Sequence, residues 1–333
     1  MSEKEAKKNN HFLSVKDLVV EYQSDGQSVH AVNGVSLTLE KGKTLGLVGE
    51  TGAGKTTIAK SILRILPDVG AKIAGGTISL DGKDILNLPE NEMRKIRGNV
   101  VSMIFQDPMT ALNPVQKIGD QIAEVIRLHS DEHTDSEKRA KEMLEIVGIP
   151  AERYSEYPHQ FSGGMKQRVI IAIALACNPT LLLADEPTTA LDVTIQAQVM
   201  DLIVDLQKKY ETALLLITHD MGVVATVCDD VAVIYAGNIV EYGTREQIFD
   251  HPTHPYTIGL FGAIPDMNED EIWLHPIEGL PPDPTNLPKG CAFSPRCKYA
   301  ADECCKEPIS VYKTPDGHEC RCCRIHEIGT QEE

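Results

Sequence analysis

The chain has 333 residues, more than one minimal core requires, so a large domain with an extension is expected. Apolar residues make up 42% and charged residues 24%, the balance of a globular protein, while only 5% are aromatic, which argues against a stacking surface for single-stranded nucleic acid. The 32 basic and 49 acidic residues leave a formal charge of −17; that field disfavours general adhesion to DNA or anionic lipid, yet leaves room for a local phosphate site made of backbone N–H groups.

No apolar run is long enough to span a bilayer. The start, MSEKEAKKNN, lacks the hydrophobic segment of a signal peptide, and residues 1–11 are expected to be a flexible N-terminus. A cytosolic protein is expected, with any membrane role exercised through partner subunits.

Along the chain, HFLSVKDLVVE (residues 11–21) and GVSLTL (34–39) carry the β-branched and apolar residues of strands, and residues 43–48 form a buried one. Directly after it comes GETGAGKT, a full G-x-x-x-x-G-K-[ST] match spanning Gly49, Glu50, Thr51, Gly52, Ala53, Gly54, Lys55 and Thr56. The glycines let the backbone turn its N–H groups onto phosphates. Lys55 reaches the β- and γ-phosphates and the Thr56 hydroxyl binds Mg²⁺. Thr56 and Thr57 open a helix whose N-terminus adds positive potential.

Gln106 ends the strand-like run VVSMIFQ. Residues 107–178 read as mainly helical: apolar residues recur at helical spacing over 118–128, and 135–147 reads as a charged amphipathic helix. FSGGMKQR (161–168) then places a good N-cap, Ser162, before Gly163 and Gly164, which expose N–H groups at the start of a helix over 165–176. That makes a second anion site, without a lysine of its own.

LLLADE (181–186) is a buried strand ending in two acids. Asp185 suits the Mg²⁺ shell, and Glu186 is placed to orient or deprotonate the attacking water. Helix 195–208, strand 213–218 and strand 231–235 follow. Strands alternating with helices predict an α/β fold on a largely parallel, covered sheet.

Taken together these motifs resemble the ABC ATPase family. FSGGMKQR resembles its signature, usually LSGGQ; Gln106 resembles the Q-loop glutamine, which senses Mg²⁺ and water; ALD, ending at Asp192, resembles the D-loop; His219 resembles the switch histidine at the γ-phosphate; Tyr22 sits where the family stacks an aromatic on adenine. The resemblance covers roughly residues 12–250. It implies a RecA-like core with a phosphate loop and a helical subdomain near 107–178. Two such domains would pair head to tail, with ATP between the phosphate loop of one and the signature of the other.

From about residue 251 prolines and histidines cluster in HPTHPYT and GLPPDPTNLP, so residues 251–333 are expected to be an appended extension on a semi-rigid linker. The chain has nine cysteines, seven of them between Cys291 and Cys323; in a reducing compartment such clustering suggests metal rather than disulfides. Met165 in the signature, TTALDVTIQAQ, HPTHPYT and GCAFSPRC resemble the peptide and nickel importer branch. That branch implies a second related ATPase as heterodimer partner, two transmembrane permeases and an extracytoplasmic substrate-binding protein, with no nucleic acid. It also implies a peripheral position on the cytoplasmic face of the membrane. Peptide is the expected cargo and nickel the alternative; the rival reading is a soluble ABC ATPase acting on nucleic acid or ribosomes, against which the single cassette and the lack of a basic face argue.

In that branch four cysteines can hold a 4Fe-4S cluster, and Cys291, Cys297 and Cys304 match the first three. Cys322 fits best as the fourth, with Cys320 and Cys323 as rivals, and zinc is the alternative occupant. Lying outside every ATPase motif, the cluster is expected to be structural or regulatory, with ATP binding surviving its loss. Cys177 and Cys228 read as core residues.

Overall fold

The structure is a computed structural model that describes residues 11–24, 26–130, 134–189, 191–263 and 276–325. Residues 1–10 of the expected flexible N-terminus lie outside this set, and His11 opens the first strand, His11–Ser24. The chain divides into two compact units, each assembled from separate stretches: the first from residues 1–13, 38–44 and 79–218, the second from 14–37, 45–78 and 219–333.

In the first unit, parallel strands Val101–Ile104, Leu181–Asp185 and Ala213–Ile217 lie side by side with the middle one central. All three are buried throughout. A strand covered on both faces has no polar side to alternate with, which is why LLLAD and ALLLI read as continuous apolar runs. The helices expected here form at Ile118–His129, Ser136–Ile146 and Gly163–Leu175, and Val193–Tyr210 follows. Asp135 caps Ser136–Ile146 by accepting from Lys138 N at 3.0 Å. Ile118, Ile122, Ala123 and Ile126 bury one face of their helix, spaced three and four residues apart.

In the second unit, Thr44–Val48 pairs in parallel with Asp230–Tyr235 over Leu45–Val48. The order beyond it is antiparallel: Asn238–Thr244, then Glu319–Cys320, then Tyr312–Lys313. The expected parallel sheet thus holds for the strands joined through helices and gives way to antiparallel pairing where two-residue turns and the chain's last strands add on. The final strands are too short for periodicity to reveal. Ala71–Leu80 also escapes a sequence reading, because AKIAGGTISL mixes glycines into a strand whose first seven residues are half-buried or exposed.

The C-terminal residues belong to the second unit rather than to a unit of their own. They are anchored on Glu241, which is fully buried: its carboxylate accepts from Thr253 N and Oγ1 (both 2.7 Å) and His254 N (3.0 Å), and pairs with buried His318 Nε2 (2.8 Å). Burial pushes the Glu241 carboxyl up, but the bonds from His318 and Thr253 outweigh it and the pKa ends below the ordinary value. No helix among the described residues is long and apolar enough to cross a membrane.

Candidate functional site: a phosphate loop and a pair of strand-end acids

The loop Gly49–Gly54 joins the buried strand Thr44–Val48 to the helix Lys55–Leu63, as the motif requires. Gly54 is the N-cap with φ near 101°, and a Cβ there would lie 2.4 Å from Ala31 O. Only glycine fits both demands. Lys55 is buried, and its ammonium donates to the carbonyls of Gly49 (2.7 Å) and Glu50 (2.9 Å). Thr56 and Thr57 begin the helix, and the Tyr22 hydroxyl lies 3.3 Å from Thr57 Oγ1. Tyr22 therefore stands in the same unit as the phosphate loop, against its helix.

In the first unit, Asp185 ends its strand and is 2% exposed. Glu186 follows with φ near 46°, a backbone conformation costly for a side-chain-bearing residue, and its N–H donates to Ile217 O at 2.8 Å. Its carboxylate accepts from Gln106 Nε2 (3.0 Å) and Thr189 Oγ1 (2.9 Å). Gln106 and Glu186, read separately from sequence, are thus one hydrogen-bonded pair, and Thr189 is a partner that sequence reasoning missed. Gln106 lies two residues beyond the end of Val101–Ile104.

The residues of FSGGMKQR open a helix two residues earlier than the sequence suggests. Exposed Ser162 caps the helix Gly163–Leu175, accepting from Met165 N. Asp192 caps Val193–Tyr210, accepting from Ile195 N at 3.0 Å. The two caps are tied together: a Cβ on Gly164 would come within 2.5 Å of Ile195 Cγ2, so the helix carrying the signature sits directly on the one opened by Asp192. Ala190 lies outside the described residues. His219 is exposed, just past Ala213–Ile217 and before a helix capped by Asp220.

A family model described as "ABC transporter" matches residues 32–189. Another, "Oligopeptide/dipeptide transporter, C-terminal region", matches residues 240–304. The oligopeptide transport ATP-binding protein OppD of Haemophilus influenzae is 52% identical over 299 residues, 89% of this chain and 92% of that protein. This chain belongs to the ATP-binding subunits of ABC transporters. The dipeptide transport ATP-binding protein DppD of Bacillus subtilis is 48% identical, covering 93% of each chain. A dimeric bacterial ABC transporter cassette of known structure superposes with a TM-score of 0.63 at 26% identity, covering 70% of this chain and 98% of that one. As a member of this family the subunit is an ATPase, and ATP with Mg²⁺ is its substrate. The oxygen donors Thr56 Oγ1 and the Asp185 carboxylate are the kind Mg²⁺ takes.

The cysteines are less simple. Cys291, Cys297, Cys304, Cys322 and Cys323 line one small cavity of about 20 Å³ with His254, Phe293 and Tyr299. Cys304 and Cys323 stand 3.6 Å apart, sulfur to sulfur. Buried Cys320 is not among the lining residues; it sits in the strand paired to Glu241. Burial pushes the Cys291 and Cys322 thiols up to about 11. Among the described residues no three His, Cys, Asp or Glu side chains are placed to hold one metal ion. The thiols thus gather as expected, but a preformed metal centre is not borne out. Cys228 is buried, as expected, and burial raises its thiol to about 12; Cys177 is half-buried with its Sγ 3.7 Å from Val125 O.

The tail was also expected to stand apart from the ATP site, and here the structure differs. Arg296, next to Cys297, makes a forked ion pair with Glu50 inside the phosphate loop, at 2.8 and 3.1 Å. The Glu50 N–H donates to Tyr256 Oη at 2.9 Å. Tyr256, Tyr235 and Phe293 form an aromatic cluster beneath, with ring centroids 4.6–5.4 Å apart. Nothing in the spacing of FSPRC or HPTHPYT announces a contact spanning 246 residues.

Proposed function

We propose that this chain is the ATP-hydrolysing subunit that energises an ABC importer for oligopeptides or dipeptides, working from the cytoplasmic face of the membrane. The observation that carries it is similarity running through the whole chain: 52% identity over 89% of it to an oligopeptide transport protein, with the peptide-transporter C-terminal region matched as well. The relatives named above carry oligopeptide and dipeptide transport, which supports peptide over nickel as cargo.

In this reading the phosphate-loop N–H groups of residues 49–57 and Lys55 hold the nucleotide phosphates, and Tyr22 stacks on adenine. Mg²⁺, when bound, would neutralise the charge of the phosphates. Thr56, Asp185 and Gln106 supply its oxygen donors. Glu186 takes the proton of the attacking water, with Gln106 and Thr189 fixing its carboxylate, and His219 contacts the γ-phosphate. Ser162, Gly163, Gly164 and Asp192 act on the nucleotide of a partner ATPase, so two ATPase subunits work as a pair, of related but different sequence, alongside two permeases and an external binding protein.

The cysteine cavity is read as a 4Fe-4S site held by Cys291, Cys297, Cys304 and Cys322, with Cys323 as the rival fourth ligand. The resemblance of the cysteine-bearing segment to the peptide-importer branch supports a cluster over zinc, and thiolates are ligands that both accept. The cluster supplies no step of hydrolysis. The test is to isolate the complex from its native membrane, identify its subunits and reconstitute it in vesicles: ATP-dependent uptake of labelled peptide is expected. Nickel uptake without peptide uptake would reverse the cargo assignment.

A further inference from the structure

Every polar group of Glu50 is engaged. Its N–H donates to Tyr256 Oη (2.9 Å), its carbonyl accepts from Lys55 Nζ (2.9 Å), and its carboxylate takes the Arg296 fork. Arg296 is used as fully. Nε donates to Glu278 O (3.0 Å), Nη1 to Glu50 and to Tyr235 Oη (3.2 Å), Nη2 to Glu50 and to Ile277 O (3.3 Å). Five N–H groups thus meet five acceptors, and the side chain is only 6% exposed against 28% for Glu50. A lysine, with three donors and no planar fork, cannot reproduce that arrangement.

Glu50 is an acid inside a loop built to receive phosphate. An uncompensated carboxylate there repels the ligand, and a loop free to rearrange must be ordered on binding. Arg296 removes both costs at once: it neutralises the charge and fixes the residue whose carbonyl holds Lys55. We propose that Arg296 is a positioning residue for ATP, acting through Glu50, with Tyr256 holding the same residue by its backbone. The proposal rests on Gly49–Thr56 being the ATP phosphate loop. Because Arg296 precedes Cys297 in the single turn Ser294–Arg296, capped by Cys297, one short element reaches both the phosphate loop and the cysteine cavity.

The test is equilibrium titration of the full chain with Mg–ATP, and KM and kcat in the assembled transporter. Arg296→Met is expected to weaken ATP binding roughly tenfold, within the ~5–150-fold typical of coupling between sites. The change should fall on KM more than on kcat, and Arg296→Lys should recover part of it. Glu50→Gln should cost less, because it removes the repelling charge while its amide oxygen can still accept from Arg296. The double variant Arg296→Met/Glu50→Gln should therefore bind ATP better than Arg296→Met alone, a reversal that lost packing does not produce. Parent-like affinity in folded Arg296→Met, or no recovery in the double variant, overturns the proposal. Should Arg296→Met not fold, Tyr256→Phe decides: it keeps the ring and loses only the acceptor, and parent-like affinity there overturns the proposal too. Failure of the unaltered chain to bind ATP would instead defeat the reading of the loop.

Discussion

The phosphate loop and the C-terminal segment meet at Glu50, yet they are built on opposite principles. The loop acts through its backbone: glycine at 54 is required because a Cβ would strike Ala31 O at 2.4 Å. The C-terminal segment acts through side chains, with Arg296, Tyr256, His318 and five cysteines each meeting a partner or a cavity. A site read by backbone depends on a few residues close in sequence. One read by side chains depends on distant residues brought together, and tolerates change in between.

Substitutions sharpen that contrast, and the largest effect is expected in the strand-end acids, which belong to neither region. Glu186→Gln should retain ATP binding and slow hydrolysis by ~10²–10⁴, the usual worth of general-base help. Turnover of the assembled transporter measures it, and an unchanged rate removes Glu186 from the role. Gly54→Ala is next. With φ near 101° and the close carbonyl, it should destabilise the loop by about 1–3 kcal/mol and abolish measurable ATP binding in a nucleotide titration. Parent-like binding would show that the loop is not held as rigidly as its contacts imply.

On the side-chain side, Cys291→Ser should strip iron and sulfide from anaerobically purified protein, by elemental analysis, while the fold persists. Zinc without iron in the native protein would replace the cluster with a single ion. The effect confined to stability, with no loss of nucleotide binding, is expected at Glu241. Glu241→Ala leaves His318 buried without its acid and should cost about 3 kcal/mol in denaturant unfolding. The sign of its pH dependence follows from its lowered pKa: this carboxylate stabilises the fold above its unfolded value, and that contribution is lost as pH falls through the folded one. The parent should therefore lose thermal stability in acid more steeply than Glu241→Gln, and equal slopes would remove Glu241 from the acid response.

The sequence made the backbone-read parts plain. GETGAGKT, LLLADE and FSGGMKQR fall where the structure has strand, loop and helix in the order each motif needs, with Gly54, Ser162 and Asp192 as the N-caps of three helices. Such motifs are local, so spacing alone carries them. The Gln106–Glu186 bond was legible only as two separate assignments, because 80 residues lie between them. The Arg296–Glu50 pair and the Glu241–His318 pair were not legible at all: an arginine beside a cysteine, or a glutamate inside a strand, looks like many others until the fold pairs it. The thiol cavity was visible as composition, while its lining, with Cys323 included and Cys320 left out, was not.

The separation of Glu50 and Arg296 by 246 residues has a consequence for how the protein is made. At about 5–20 residues per second, a ribosome adds Arg296 roughly 12–50 s after Glu50. During that interval the nascent chain carries a complete phosphate-binding sequence whose glutamate has neither its arginine nor the Tyr256 hydroxyl. The last strand of the tail, Glu319–Cys320, joins later still. The bonds that hold Glu50 are therefore completed by the end of translation rather than by its beginning, and a polypeptide released early, lacking the region from Tyr256 onward, ends its synthesis with Glu50 still unclamped.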